Sequence, residues 1–320
     1  MHTHLIYGAI LSISLIGAFM TWTEEPDPIS GDEIELITGN KEDLQEIEWI
    51  SPKNYVRISK KEKSSTDGSL WVFYKEEEKD IKKNFKASSA GEKLFANYSP
   101  LTAIRKLDAP SAEKLVEIGL QDPKTTVTIT RNDRKRVLEI GNEAYGTKDV
   151  YVRDSNSGQV YLVDDEKFRT LQHAKSRLPN RDLWSFDTMY DIKKATIQTD
   201  DVPQIVFEHK NHQDKQNARW ERIGNNIENN DSTTEQITTW ISKIIALRGG
   251  EYIEIDEKDV LLKLKFSLIV QIEDTQESLK IYTQDEKWYA NSTFSEGFVL
   301  LASRNIEGLY SDIPSISKME

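Results

Sequence analysis

The chain has 320 residues, 30% of them charged, a formal net charge of -12 and no cysteine. That length suits two domains, each able to bury its own core, and a mean hydropathy of -0.60 excludes a bundle of membrane spans. The acidic balance argues against a phosphate-tracking surface, and the lack of cysteine excludes disulfides, thiol catalysis and cysteine metal sites.

The first element is LIYGAILSISLIGAFMTW, Leu5 to Trp22, which carries no charge. As a helix it would span about 27 Å, enough to cross a bilayer core, and Trp22 falls where an interfacial aromatic would sit. Residues 1–23 are therefore expected to form a single transmembrane anchor, followed by an acidic linker over 24–42. No Lys or Arg precedes the span, so the positive-inside signal is weak; His2 and His4 flank it instead. Export of the acidic bulk is the reading adopted, with the chain on the outer side of the cytoplasmic membrane, in the periplasm of a Gram-negative cell. A cleaved signal peptide is the rival, but it wants a basic start and a small-x-small cleavage site, and GAFMTWT is a poor one.

After the linker the pattern becomes short alternating strands with a helix after each group. NYVRIS (Asn54 to Ser59) and SLWVFYK (Ser69 to Lys75) read as a hairpin. Leu94, Tyr98, Leu101 and Ile104 recur at helical steps, with Ser99 and Pro100 read as a cap and first turn that restart a broken helix. TVTITRNDRKRVLEIG (Thr126 to Gly141) and the Val160 to Leu171 segment supply a meander and a closing helix.

The same order then returns. DIKKATI (Asp191 to Ile197) answers DLQEIEW (Asp43 to Trp49), Trp220 answers Trp71, and Ile237, Ile241, Ile244 and Leu247 repeat the earlier helical steps. Ser232 or Thr233 would cap that helix, with Gly249 and Gly250 ending it. LIVQIEDTQESLKIYT (Leu268 to Thr283) answers the first meander, and Phe298, Leu300, Ile306 and Leu309 answer Val160, Leu162, Phe168 and Leu171. The offset between partners drifts along the chain from 148 at the opening strands down to 138 at the last helix, as loop deletions in a second copy would leave it. The fold class expected is α+β: two tandem copies of a β-meander plus helix unit, over 43–180 and 181–320, behind the N-terminal helix. Trp71, Trp220 and Trp240 are expected in the cores.

Between the copies lies LPNRDLWSFD, Leu178 to Asp187. Pro179 would stop the preceding helix. Trp184 and Phe186 would dock the entering chain on a core, and Arg181 with Asp182 would tie the joint by charge; these four are the structural, interdomain residues singled out.

Leu120 to Ile197 resembles a bacterial family catalogued as domain of unknown function four-three-four-zero. The residues that carry the resemblance are GLQDPKTTVTI (Gly119 to Ile129), LEIGN (Leu138 to Asn142), VYVRDSNSGQVYLVD (Val150 to Asp164) and LPNRDLWSFDTMYDIKKATI (Leu178 to Ile197). The resemblance implies a membrane-tethered, outward-facing protein, often encoded beside ABC transporters of the gliding-motility type. It carries over no catalytic residue. Trp184 and the Asn-rich GNNIENNDS depart from the commoner pattern.

Chemistry-bearing groups are sparse. His209 and His212 form an H-x-x-H with Asp214 nearby, and imidazole and carboxylate suit zinc, but two ligands on a polar loop are not a site. DSNSG, Asp154 to Gly158, starts like a calcium loop but lacks the sixth-position glycine and reads better as a hairpin turn. Asp164, Asp165 and Glu166, and the pair Asp200 and Asp201, sit where strands hand over to helices or turns, where acids favour helix starts and water. There is no G-x-S-x-G, P-loop or dinucleotide fingerprint. No catalytic, cofactor or metal residue is assigned. The function expected is that of a non-catalytic, anchored accessory or scaffold protein, with ABC transporter subunits or a second copy as partners and no nucleic acid. A cell-wall or polysaccharide-active enzyme would instead show paired acids in a cleft, and a solute- or glycan-binding module an aromatic-lined one.

Overall fold

The computed structural model of the protein describes residues 33–60, 68–224, 230–254 and 262–317. The anchor expected at Leu5 to Trp22 lies outside them. Among the described residues, no helix is long and apolar enough to cross a membrane.

The first half runs β1 (Ile34–Ile37), β2 (Leu44–Ile50), β3 (Tyr55–Lys60), β4 (Leu70–Glu76), β5 (Ile81–Lys86), α1 (Ser89–Asn97), β6 (Leu101–Ala103), β7 (Arg105–Lys106) and α2 (Ala112–Glu117). It closes with β8 (Thr125–Arg131), β9 (Arg134–Glu143), β10 (Asp149–Asp154), β11 (Val160–Asp164), α3 (Glu166–Gln172) and α4 (Ala174–Arg177). The second half runs β12 (Ile192–Thr199), β13 (Ile205–Lys210), β14 (Arg219–Ile223), α5 (Asp231–Ile245) and β15 (Tyr252–Ile253). It ends with β16 (Lys263–Ile272), β17 (Thr275–Gln284), β18 (Lys287–Ser292), β19 (Phe298–Leu301) and α6 (Ser303–Ser317).

These elements make an α+β protein. One sheet has the order β5-β4-β3-β2-β8-β9-β10-β11-β7, another β14-β13-β12-β16-β17-β18-β19-β15, and β1 pairs with β6 in a two-stranded strap. Apart from the extra edge strand β5, the two large sheets follow one order.

Alternation explains which face is covered. In β2, Ile47 and Trp49 are buried while Glu46 and Glu48 point to the other face. Leu44 lies an odd three residues before Ile47 yet is also buried, because a bulge between Leu44 and Glu46 reverses the phase of the strand. β12 has the same device: Ile192 and Ala195 are both buried, and the register shifts between Ile192 and Lys194.

Helices cover that face. Phe168 of α3 packs 6.4 Å from Trp49 and 6.5 Å, edge-on, from Tyr98 at the end of α1. In the second half Trp240 of α5 lies 6.3 Å from Phe266 and donates its indole N–H to the Leu309 carbonyl of α6 at 2.9 Å. One apolar cluster runs through both halves; a smaller one, of Ile118, Leu120 and Val160, sits by α2.

Several sequence expectations need correction. The helix over Leu94 to Ile104 does not restart: α1 ends at Asn97, and Leu101–Ala103 become β6. A proline after Ser99 removes an amide donor and disfavours helical geometry in the residue before it, so the chain leaves extended. The cap of α5 is Asn230, whose side chain accepts from Thr233 N at 2.9 Å, and not Ser232 or Thr233.

Trp71 and Trp220 do not hold matching positions. Trp220 pairs with His209 and is buried, whereas Trp71 pairs with Ser59 and is half-buried on the face away from the helices. Likewise Val127, opposite Trp49, stands where Leu268 stands opposite Ile197, one residue off the sequence match of Thr126 with Leu268. A slip of one residue turns every side chain to the other face.

Candidate functional site

The two halves meet along the segment leaving α4. On one side this segment extends the edge next to β5: Leu178 O accepts from Ser88 N at 2.8 Å, Ala87 and Pro179 form an antiparallel bridge, and Asn180 N donates to Lys86 O at 2.9 Å. On the other side Arg181 O accepts from Gly249 N at 2.8 Å, and Asp182 bridges Arg248. The next residue, Gly250, donates to Leu300 O at 2.8 Å, and a Cβ there would fall 2.8 Å from that same oxygen. Glycine is what lets the backbones close at this point.

The four residues singled out in LPNRDLWSFD take distinct places. Trp184 is buried in the continuous core and donates to Ile244 O at 3.4 Å; Phe186 packs 5.4 Å from it. Asp182 does not pair with its neighbour Arg181. Its carboxylate meets Arg248 Nε at 3.0 Å, and the Arg181 side chain turns to an exposed position. Adjacent residues on an extended chain point to opposite faces, so Asp182 meets Arg248 while Arg181 borders the cavity beside the joint. Ser185 N donates to Glu277 of β17 at 3.1 Å, fastening the far end.

The edges β5 and β15 meet beside this segment. Phe85 and Tyr252 lie 5.5 Å apart, and above them Lys83 pairs with Glu251. Lys83, foremost by its hydrogen bond, holds the Glu251 carboxyl below the usual carboxylate range. Lys175 reaches Glu76 at 3.3 Å and Glu251 at 3.9 Å. Lys83, Phe85, Lys175, Glu251 and Tyr252, with Arg181 and Pro179, border a cavity of about 430 Å³. None of this edge contact was visible in the sequence, because its residues alternate like any solvated strand.

A larger groove of about 1100 Å³ opens on the uncovered face of the nine-stranded sheet. The register lays its lining out in two rows across the strands. One row runs Thr130, Glu46, Ser59, Trp71 from β8 to β4; the next includes Arg57, Phe73 and Asn84 on β3, β4 and β5. Gln45 and Lys60 extend the lining, and Glu296, from the turn between β18 and β19, closes it from the second half. Beside it Lys86 lies 4.0 Å over the Phe294 ring. The Arg57 guanidinium sits 5.6 Å over Phe73, and Tyr55 meets that ring edge-on at 5.9 Å.

The remaining sequence candidates resolve into turns and caps. His209 is buried, stacked 4.2 Å from Trp220, with Nδ1 3.1 Å from Ile192 O. His212 turns Nδ1 to Tyr190 O at 2.9 Å, and Asp214 accepts from Asn217 Nδ2 and Gln216 N within its own turn. Among the described residues, no three metal-ligating side chains converge. Burial would raise the Asp154 pKa, but hydrogen bonds from Ser157 and Arg136 outweigh it and hold the carboxyl below its usual value. Asp164 accepts from Glu166 N at the start of α3, Asp165 pairs with Arg169 at 3.3 Å, and Asp201 accepts from the Tyr310 hydroxyl.

A family model described as a domain of unknown function (DUF4340) matches residues 87–287. The chain belongs to this family. The DUF4340 match opens at Ala87, which bridges Pro179, and closes at Lys287, the first residue of β18; the segment 178–182 and its partners Ser88, Arg248 and Gly249 lie inside it, while Lys83, Phe85, Lys86 and Leu300 lie outside. The hairpin that carries Trp71 and Phe73 lies before the DUF4340 match. No curated protein and no solved structure gives a significant match.

Proposed function

We propose that the protein is a non-catalytic scaffold, anchored in the cytoplasmic membrane by Leu5 to Trp22 with its bulk outside the cytoplasm. It would serve there as an accessory to an ABC transporter complex of the cell envelope. The observation that carries the reading is the joint. A buried tryptophan, an ion pair and backbone hydrogen bonds on both sides of one segment tie two sheets into a continuous frame. A frame of that kind suits holding partners at a set spacing. The uncharged N-terminal stretch motivates the anchor, and the transporter context is only what the resemblance of Leu120 to Ile197 implies.

The frame is further read as two tandem copies of one unit, over 43–180 and 181–320. Two features support this: the common strand order, and the bulge at the same station of β2 and β12. Independent origins would have no reason to place a bulge at the same step of the same strand.

The experiment is affinity capture of the tagged full chain from cell membranes in a mild detergent, with mass spectrometry and light scattering of the product. Transporter subunits or a second copy should accompany it in stoichiometric amount. Recovery of a lone monomer sinks the proposal.

A further inference from the structure

We propose that the groove over β2, β3, β4 and β5 binds a neutral oligosaccharide, with Trp71 as the stacking platform. This goes beyond the scaffold reading and does not depend on it.

The chemistry of the lining selects the ligand class. Among the lining residues Arg57 and Lys60 are matched in number by Glu46 and Glu296, with Lys86 beside them, so the groove carries too little net charge to select a polyanion. An extended peptide would want a free sheet edge for its backbone, but β4 is hydrogen-bonded to β3 and β5, and the edge beyond β5 is taken at Lys86 and Ala87 by the segment leaving α4. A lipid chain would want an apolar trough; here Trp71 and Phe73 are surrounded by Gln45, Glu46, Arg57, Ser59 and Asn84.

A sugar ring presents a flat C–H face and a rim of hydroxyls that each donate and accept. Aromatic faces answer the first, and amides, carboxylates and guanidinium the second. Neighbouring strands lie about 4.8 Å apart and alternate residues about 7 Å apart, so Trp71 has hydrogen-bonding side chains within one ring's reach on both flanks. Arg57 is already held over Phe73, which orients its planar fork before any ligand arrives. The wall formed by Glu296 comes from the other half, so the groove exists only when the two sheets are joined.

Binding is tested on the full chain in a detergent without a sugar headgroup, by titration calorimetry. The probes are five neutral hexasaccharides (cello-, xylo-, malto-, laminari- and N-acetylchito-) and hexagalacturonate as a charged control. At least one neutral probe should bind with a Kd of about 1 mM or tighter and more tightly than hexagalacturonate. Trp71→Ala should weaken it by about tenfold or more, and Trp71→Phe by less. Asn84→Ala changes an exposed side chain outside the core and should weaken binding with an unaltered melting temperature, so loss of affinity is separable from loss of fold. The proposal is overturned if no neutral probe binds, if only hexagalacturonate binds, or if Trp71→Ala and Asn84→Ala both bind like the parent. Capture of transporter subunits is read separately, so either idea can fail alone.

Discussion

His209 and Trp220 lie face to face across the β13–β14 pair, 10° from parallel, with Tyr190 and His212 as the next rings. Burial is the main reason the His209 imidazole is held below its ordinary pKa. In the unfolded chain it would titrate near 6.5, so below that pH the unfolded state takes up a proton that the folded state resists. The stabilisation is therefore complete above about pH 6.5 and is lost as pH falls through the lowered folded value. His209→Phe should flatten the fall in melting temperature between about pH 7 and pH 5; a profile parallel to the parent's would assign that slope elsewhere. The two β-hairpin tryptophans should also differ. Trp220→Ala should cost about 3–5 kcal/mol in urea unfolding, and Trp71→Ala much less, because only the former leaves a hole in a core. Sequence matching set these two residues as equivalents, since both follow a polar hairpin loop. Composition locates a tryptophan on a strand, but the loop length decides which face it takes.

Element boundaries were read best where punctuation is local and worst where a distant strand intervenes. Both hairpins, the paired opening strands β2 and β12 and the α5 helix follow the apolar periodicity. The strap β1–β6 does not announce itself, because Leu101 to Ile104 continue a helical stepping, and their partners, Ile34 to Ile37 and Leu162, lie far off in the chain. The α5 cap is a finer case. Asn230, Ser232 and Thr233 are all capping types, and the outcome rests on which side chain reaches back to a free amide. Asn230→Ala should therefore lower stability by about 1 kcal/mol, while Ser232→Ala should leave the unfolding midpoint unchanged. Equal effects from the two would move the start of the helix.

At the scale of the molecule, the joint decides whether the halves behave as one body. Trp184→Ala removes the indole that fills the seam and its hydrogen bond to Ile244 O. Limited proteolysis should then cut within residues 178–190 faster than in the parent, with the secondary structure seen by circular dichroism retained. Unchanged sensitivity there would mean the Asp182–Arg248 and backbone contacts suffice alone. The sequence pointed to this stretch because proline, aromatics and charges crowd between two periodic regions. The edge contact of β5 with β15 stayed hidden, since it joins residues more than half the chain apart through ordinary Lys and Glu side chains.

The strap has a mechanical consequence. By pairing with β6, β1 takes the chain into the folded body at Ile34, not at Leu44 where the large sheet begins. In the proposed anchored arrangement the chain between anchor and strap is residues 23–33, a contour length of roughly 40 Å. Were the strap undone, that length would run to residue 43 and grow to roughly 75 Å. On that arrangement the strap, and not the large sheet, would set how far the entry point of the body can stand from the bilayer.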